Sequence, residues 1–163
     1  VTPASRSSLR QLAEQVLVEQ TGGTRVVRLC PWCGSDRHGR PVVLDTPATV
    51  SMTVSIAYAG DLVAVAWSRS GPVGIDIEVD GPAVGEYGDV RAWTRIEALL
   101  KATGEGLRRD PRDLPDLPSR EIDLPAGYLG TAAGDEVSWR LAGPAAASRP
   151  ATRPAARTDL PGR

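Results

Sequence analysis

Seventeen glycines and fourteen prolines interrupt a chain of 163 residues. Glycine loses the most backbone freedom on ordering, and proline fixes φ and has no N–H to donate, so both belong in connections. Such a chain is restricted to short elements joined by many turns. With 41% apolar residues it still has enough hydrophobic surface to build one domain with a proper core.

The elements follow from periodicity. Leu9, Leu12, Ala13, Val16 and Leu17 recur at the spacing of one buried helical stripe, which predicts a helix over 8–20. Ser5 or Ser7 is available to cap it, and Gly22-Gly23 stops it. Short strands are predicted at 25–29 and 42–44, separated by a turn at Cys30-Pro-Trp-Cys33-Gly-Ser and a loop over 36–41. Segments 53–57 and 62–67 read as a hairpin, and 73–79 alternates as a third strand. A second helix is predicted over 93–107, ending at Gly104 and Gly106. Beyond Arg108 the chain reads as Pro- and Asp-rich loop with one strand at 136–141. Residues 144–163 are almost entirely Ala, Pro, Arg, Ser, Thr, Gly and Asp, and are expected to form a disordered tail. No internal repeat is evident.

Charge narrows the function. Nineteen basic residues against twenty acidic ones leave a net charge of −1, which argues against nucleic acid or a membrane surface as the main partner. No stretch approaches the roughly 20 apolar residues of a membrane span, and nothing at the N-terminus reads as a signal peptide, so a cytoplasmic protein is expected. Val1, where an initiator Met would stand, reads as a start inside a longer reading frame. His38 is the single histidine, which excludes a multi-histidine metal site. Eighteen of the nineteen basic residues are arginine; the one lysine is Lys101.

The chemistry concentrates in two segments. In Gly74-Ile-Asp76-Ile-Glu78, period-2 alternation puts Asp76 and Glu78 on one face and Ile75 and Ile77 on the other. On the second helix Trp93, Glu97 and Lys101 share one face at i, i+4, i+8. A helix packed across that strand would gather three carboxylates beside one ammonium group. Three hard oxygen ligands with positions left for water or phosphate oxygens suit Mg²⁺. Taken singly, these features have ordinary explanations: a D-x-E pair is commonly a solvated face, and Glu97–Lys101 a surface ion pair.

Together these residues resemble a known family. Val73-Gly-Ile-Asp-Ile-Glu78 and Trp93-x-x-x-Glu97-Ala-x-x-Lys101-x-x-Gly104-x-Gly106-Leu107 look like the two signature motifs of 4'-phosphopantetheinyl transferases, in particular the surfactin-synthetase-activating type. Upstream, His38-Gly-Arg-Pro41 resembles that family's glycine–basic–proline turn, and the likeness spans about 25–141. The resemblance implies an α+β fold of two pseudo-symmetric halves with the active site between them. Here an incomplete N-terminal half would occupy 1–70, and the half carrying the metal motifs 71–143. It implies transfer of phosphopantetheine from coenzyme A to a serine of an apo acyl or peptidyl carrier protein, by a monomer. Asp76, Glu78 and Glu97 would bind Mg²⁺, and Glu97 would also help deprotonate the carrier serine. Lys101 would contact the pyrophosphate, with Arg37, His38, Arg40 and Tyr58 contributing to coenzyme A binding. Departures are visible too. Ala57-Tyr58-Ala59 stands where Ser-His-Ser is usual, Ile96 replaces a lysine, and the link from Glu78 to Trp93 is short.

Two alternatives accompany this reading. A non-catalytic module would hold coenzyme A or a carrier protein without turning it over. Separately, Cys30-Pro-Trp-Cys33-Gly resembles one knuckle of a zinc ribbon. The second Cys pair is absent and His38 supplies at most a third ligand, so a bare structural turn is the expectation there, with redox use a further option.

Overall fold

The computed structural model describes residues 4–46, 52–105 and 108–148. Helix α1 runs over Arg6–Thr21 and strands β1 and β2 over Arg25–Leu29 and Arg40–Leu44. Strands β3, β4 and β5 follow at Thr53–Ala59, Leu62–Ser68 and Gly74–Val79, then helix α2 at Val90–Thr103. Strands β6, β7 and β8 occupy Ser119–Glu121, Tyr128–Ala133 and Ser138–Ala142. This is an α+β architecture of small antiparallel sheets and two helices among the described residues. None of the helices described is long and apolar enough to cross a membrane.

Local chemistry sets the ends of α1. Ser5 Oγ accepts from the Ser8 N–H at 3.1 Å, satisfying an orphan donor of the first turn, and Gly22 closes the helix at φ 75°. The β3–β4 turn is Gly60-Asp61, with Gly60 at φ 48°, a conformation that tight hairpins demand and side chains resist.

Two three-stranded sheets carry the core, in the orders β3-β4-β8 and β5-β7-β6. Every residue of β4 is buried because both of its faces are covered. Val63, Val65 and Trp67 meet Leu9, Ala13 and Leu17 of α1. Leu62, Ala64 and Ala66 meet Ile75 and Ile77 of β5. The small alanines let the two sheets approach, and Ile75 and Ile77, almost wholly buried, each contribute about 2 kcal/mol of apolar burial. The other face of β5 belongs to α2. A Cβ on Gly74 would run into the Ala98 carbonyl oxygen and lie 2.8 Å from the Ala102 nitrogen, so only glycine allows the helix this close. The layers are therefore helix, sheet, sheet, helix.

The structure corrects several expectations. Helix α2 begins at Val90 because Asp89 caps it, its side chain accepting from the Ala92 N–H at 2.7 Å. Its last described residue is Thr103, followed by Gly104 at φ 78°. The segment read as loop after Arg108 contains β6 and β7, and β7 is the middle strand of its sheet. Strand β8 returns to pair with β4 (Val63↔Ala142, Ala64↔Leu141), so the division at residue 71 is crossed by the last strand. Residues 144–148 form a 3₁₀ turn whose Ala145 and Ala146 pack on the core. The expected disordered tail at 149–163 lies outside the described residues, as do Gly106 and Leu107.

Candidate active site

Strand β5 and helix α2 place the acidic residues. Asp76 is 3% exposed, directly opposite Thr131 of β7, on the face covered by α2. One helical turn separates Glu97 from Lys101, and the ammonium reaches both partners. Lys101 Nζ stands 2.6 Å from Asp76 Oδ1 and 3.7 Å from Glu97 Oε2. Glu78 is only half-buried.

Burial dominates the electrostatics here. Removal from water pushes the Asp76 carboxyl up to about 7, against the pull of Lys101, with Glu97 and Glu78 adding to the rise. Glu78 is raised as well, first by burial and then by Glu97, with Lys101 opposing. The three carboxylates are not drawn into a cluster of metal-ligand dimensions. Among the described residues the trio whose ligand atoms all lie within 4.8 Å of one another is Cys30, Cys33 and His38.

Lys101 also lines a cleft of about 310 Å³ between the β1–β2 ribbon and the C-terminal end of α2. Its wall includes Arg28, Arg40, Lys101 and Arg108, a strongly cationic set, with His38 beside them and Glu105 as the one carboxylate among the described residues. Arg28 Nη1 donates to the Gly39 carbonyl at 3.1 Å, and the Arg108 guanidinium lies 4.9 Å over the Trp32 ring. Burial lowers the pKa of Arg40.

The residues assigned to coenzyme A are thus divided. His38, Arg40 and Lys101 share the first cleft. Arg37 and Tyr58 line a neighbouring one of about 260 Å³ with Arg10 and Glu14; Arg28, Pro41 and Ile56 border both. The Arg6 guanidinium covers the Tyr58 ring at 3.8 Å. Sequence periodicity gives no hint of Arg28 or Arg108. The one available signal is that β1 must pair with the strand bearing Arg40, which sets Arg28 opposite Pro41.

Buried polar atoms are normally hydrogen-bonded, so exceptions are informative. Among the described residues three buried side-chain atoms have no partner: Arg40 Nη2, Tyr58 OH and Asp76 Oδ2. All three belong to residues that the sequence resemblance assigns to a ligand or metal. In comparisons with known proteins, no family model, curated protein or solved structure matches the chain.

Proposed function

We propose that the chain is a 4'-phosphopantetheinyl transferase, with that family's pseudo-symmetric fold, moving phosphopantetheine from coenzyme A to a serine of an apo carrier protein. The observation that carries this reading is the set of three orphaned atoms on Arg40, Tyr58 and Asp76. A cation on one side and a buried carboxylate on the other lack partners that a pyrophosphate and a divalent ion would supply. The helix–sheet–sheet–helix layering is compatible with a two-layered α+β architecture, with β8 of the C-terminal segment completing the first sheet.

Asp76 Oδ2 is buried and unpartnered, Glu97 shares the Lys101 ammonium with Asp76, and Glu78 feels the same charges, so the donor chemistry is that of a hard divalent cation, which would have to draw the three carboxylates closer than they stand. Asp76, Glu78 and Glu97 would hold Mg²⁺, which when bound neutralises charge developing on a pyrophosphate. Arg28, Arg40 and Arg108 supply cationic donors in the cleft for the phosphates of the nucleotide end. Lys101, at the boundary of cleft and carboxylates, offers a point charge to the pyrophosphate. Glu97 takes the proton as the carrier serine oxygen attacks phosphorus, directly or through water. The P–O bond to 3',5'-ADP breaks, and the phosphopantetheine leaves on the serine.

A binding module that holds coenzyme A or a carrier protein without transfer is the second reading, favoured by the ammonium of Lys101 resting on Asp76. Incubation with Mg²⁺, coenzyme A and an apo carrier should raise the carrier mass by one phosphopantetheine. Coenzyme A binding with no mass gain on any of several carriers would select the module. Glu97→Gln should abolish the gain, and a fully active variant would remove Glu97 from its assigned role.

A further inference from the structure

The turn expected to be purely structural has the geometry of a metal knuckle. The Cys30 N–H donates to the Ser35 carbonyl, and the Gly34 N–H donates to the Cys30 carbonyl, both at 2.9 Å. Gly34 stands at φ 70°, so the chain folds tightly around the first sulfur.

His38 is brought in by a separate device. Gly39 sits at φ 104°, with its Cα against the backbone of Leu29 and Cys30; a Cβ there would overlap the Leu29 carbonyl. This contact folds the loop over 36–39 back on the knuckle and leaves His38 Nε2 at 3.3 Å from Cys33 Sγ. In tetrahedral zinc, with Zn–S about 2.3 Å and Zn–N about 2.0–2.1 Å, a sulfur and a nitrogen ligand stand roughly 3.6 Å apart. The observed separation is close to that edge. Both cysteines are free thiols.

We propose that Cys30, Cys33 and His38 bind one zinc ion, with solvent or a cleft-bound group in the fourth position. Two thiolates and a neutral imidazole match a thiophilic divalent ion and give the site zero net charge beside the cationic cleft. Cys30 and His38 both line that cleft next to Arg40, so the ion clasps the loop that forms one of its walls. The site uses none of Asp76, Glu78 and Glu97; it shares the cleft with the proposed coenzyme A site and gives His38 a metal-ligand role in place of the one the resemblance implies.

The test uses the full chain, reduced and stripped of metal. After addition of Zn²⁺ and desalting it should retain one equivalent, and Co²⁺ should give the intense visible bands and sulfur-to-metal charge transfer of tetrahedral thiolate coordination. Cys33→Ser and His38→Ala, both changes at exposed side chains, should keep the wild-type circular dichroism. Each should weaken binding by more than about a hundredfold, beyond the 10–100-fold that outer-shell partners are worth. Zn²⁺ should slow the reaction of both thiols with Ellman's reagent and raise the melting temperature of the wild type alone. No retained metal, together with thiols equally reactive with and without Zn²⁺, would overturn the proposal. Metal held equally well by both variants would overturn it too, placing the ion elsewhere in the chain.

Discussion

Lys101 Nζ donates to Asp76 Oδ1 across 2.6 Å, joining the chain's one lysine to a carboxylate that is almost wholly buried. Asp76 therefore has one oxygen on an ammonium and the other without a partner, so Lys101 is its one ion-pair partner among the described residues. Removing the ammonium leaves a desolvated carboxyl without compensation. Lys101→Met should destabilise the protein by about 2 kcal/mol, less than for a fully buried pair because the lysine is partly exposed. The Asp76→Asn/Lys101→Met double variant should regain much of that loss, and urea unfolding of the four proteins gives the coupling energy. Additive losses would show that the pair does not interact.

The pH dependence has a definite sign. In the folded protein Asp76 holds its proton up to about pH 7, against 3.8 for an ordinary aspartate. Between those values the folded chain binds more protons than the unfolded one, so the Asp76 contribution to stability is fully present below about pH 4 and is lost as pH rises through about 7. In metal-chelating buffer, the stability of the wild type relative to Asp76→Asn should therefore fall across pH 4–7. A flat difference would place the carboxyl in water.

Gly74 is the seat of helix α2. Gly74→Ala would drive a methyl group into the Ala98 carbonyl, and the helix must move away. Overpacking of this kind should cost about 3 kcal/mol and lower the melting temperature by roughly 10 °C. The Lys101–Asp76 contact, which spans the same interface, should loosen with it. Loss of the Asp76 titration in the variant, followed by NMR, checks the second effect.

Arg40 supplies the nucleotide test. Its Nη2 atom is buried without a partner at the wall of the cleft. A charge-assisted hydrogen bond to phosphate is worth about 1.5–3 kcal/mol, so Arg40→Gln should weaken coenzyme A binding by roughly 10–150-fold in calorimetry. Arg37→Gln, in the neighbouring cleft, should have a smaller effect.

Tyr58 offers a stability test without ligand. Its hydroxyl is buried and unsatisfied. Tyr58→Phe removes the desolvated oxygen and should raise ligand-free stability by about 1 kcal/mol, read by urea unfolding.

Elements with a strong local signal were legible in the sequence. The apolar stripe of α1, its Ser5 cap and its Gly22 stop all recur in the structure, as do the Gly60-Asp61 hairpin and the alternation of β5. The meeting of Asp76, Glu97 and Lys101 was also legible, because periods of 2 and 3.6 fix which side chains share a face. Strand β7 was not. Its sequence Tyr-Leu-Gly-Thr-Ala-Ala has weak strand propensity, yet Gly130 is required there, since a Cβ would come within 2.8 Å of the Asp76 carbonyl. Tertiary packing overrides local preference at that position. Arg28 and Arg108 reach the cleft through strand pairing and the end of α2, relations between distant segments that no local pattern encodes.

Strand β8 ties the end of the described chain to its beginning. Because Trp67 and Ala66 find their partners at Ser138 and Trp139, the first sheet lacks its third strand until residue 142 has emerged from the ribosome. Folding of that sheet must wait for nearly the whole described sequence, at the entropic cost of closing a loop of some seventy residues. A fragment ending after β4 would expose Ala64 and Ala66 to water and leave a row of unpaired backbone groups along one edge. A cut at residue 70 therefore divides a sheet rather than separating two complete ones.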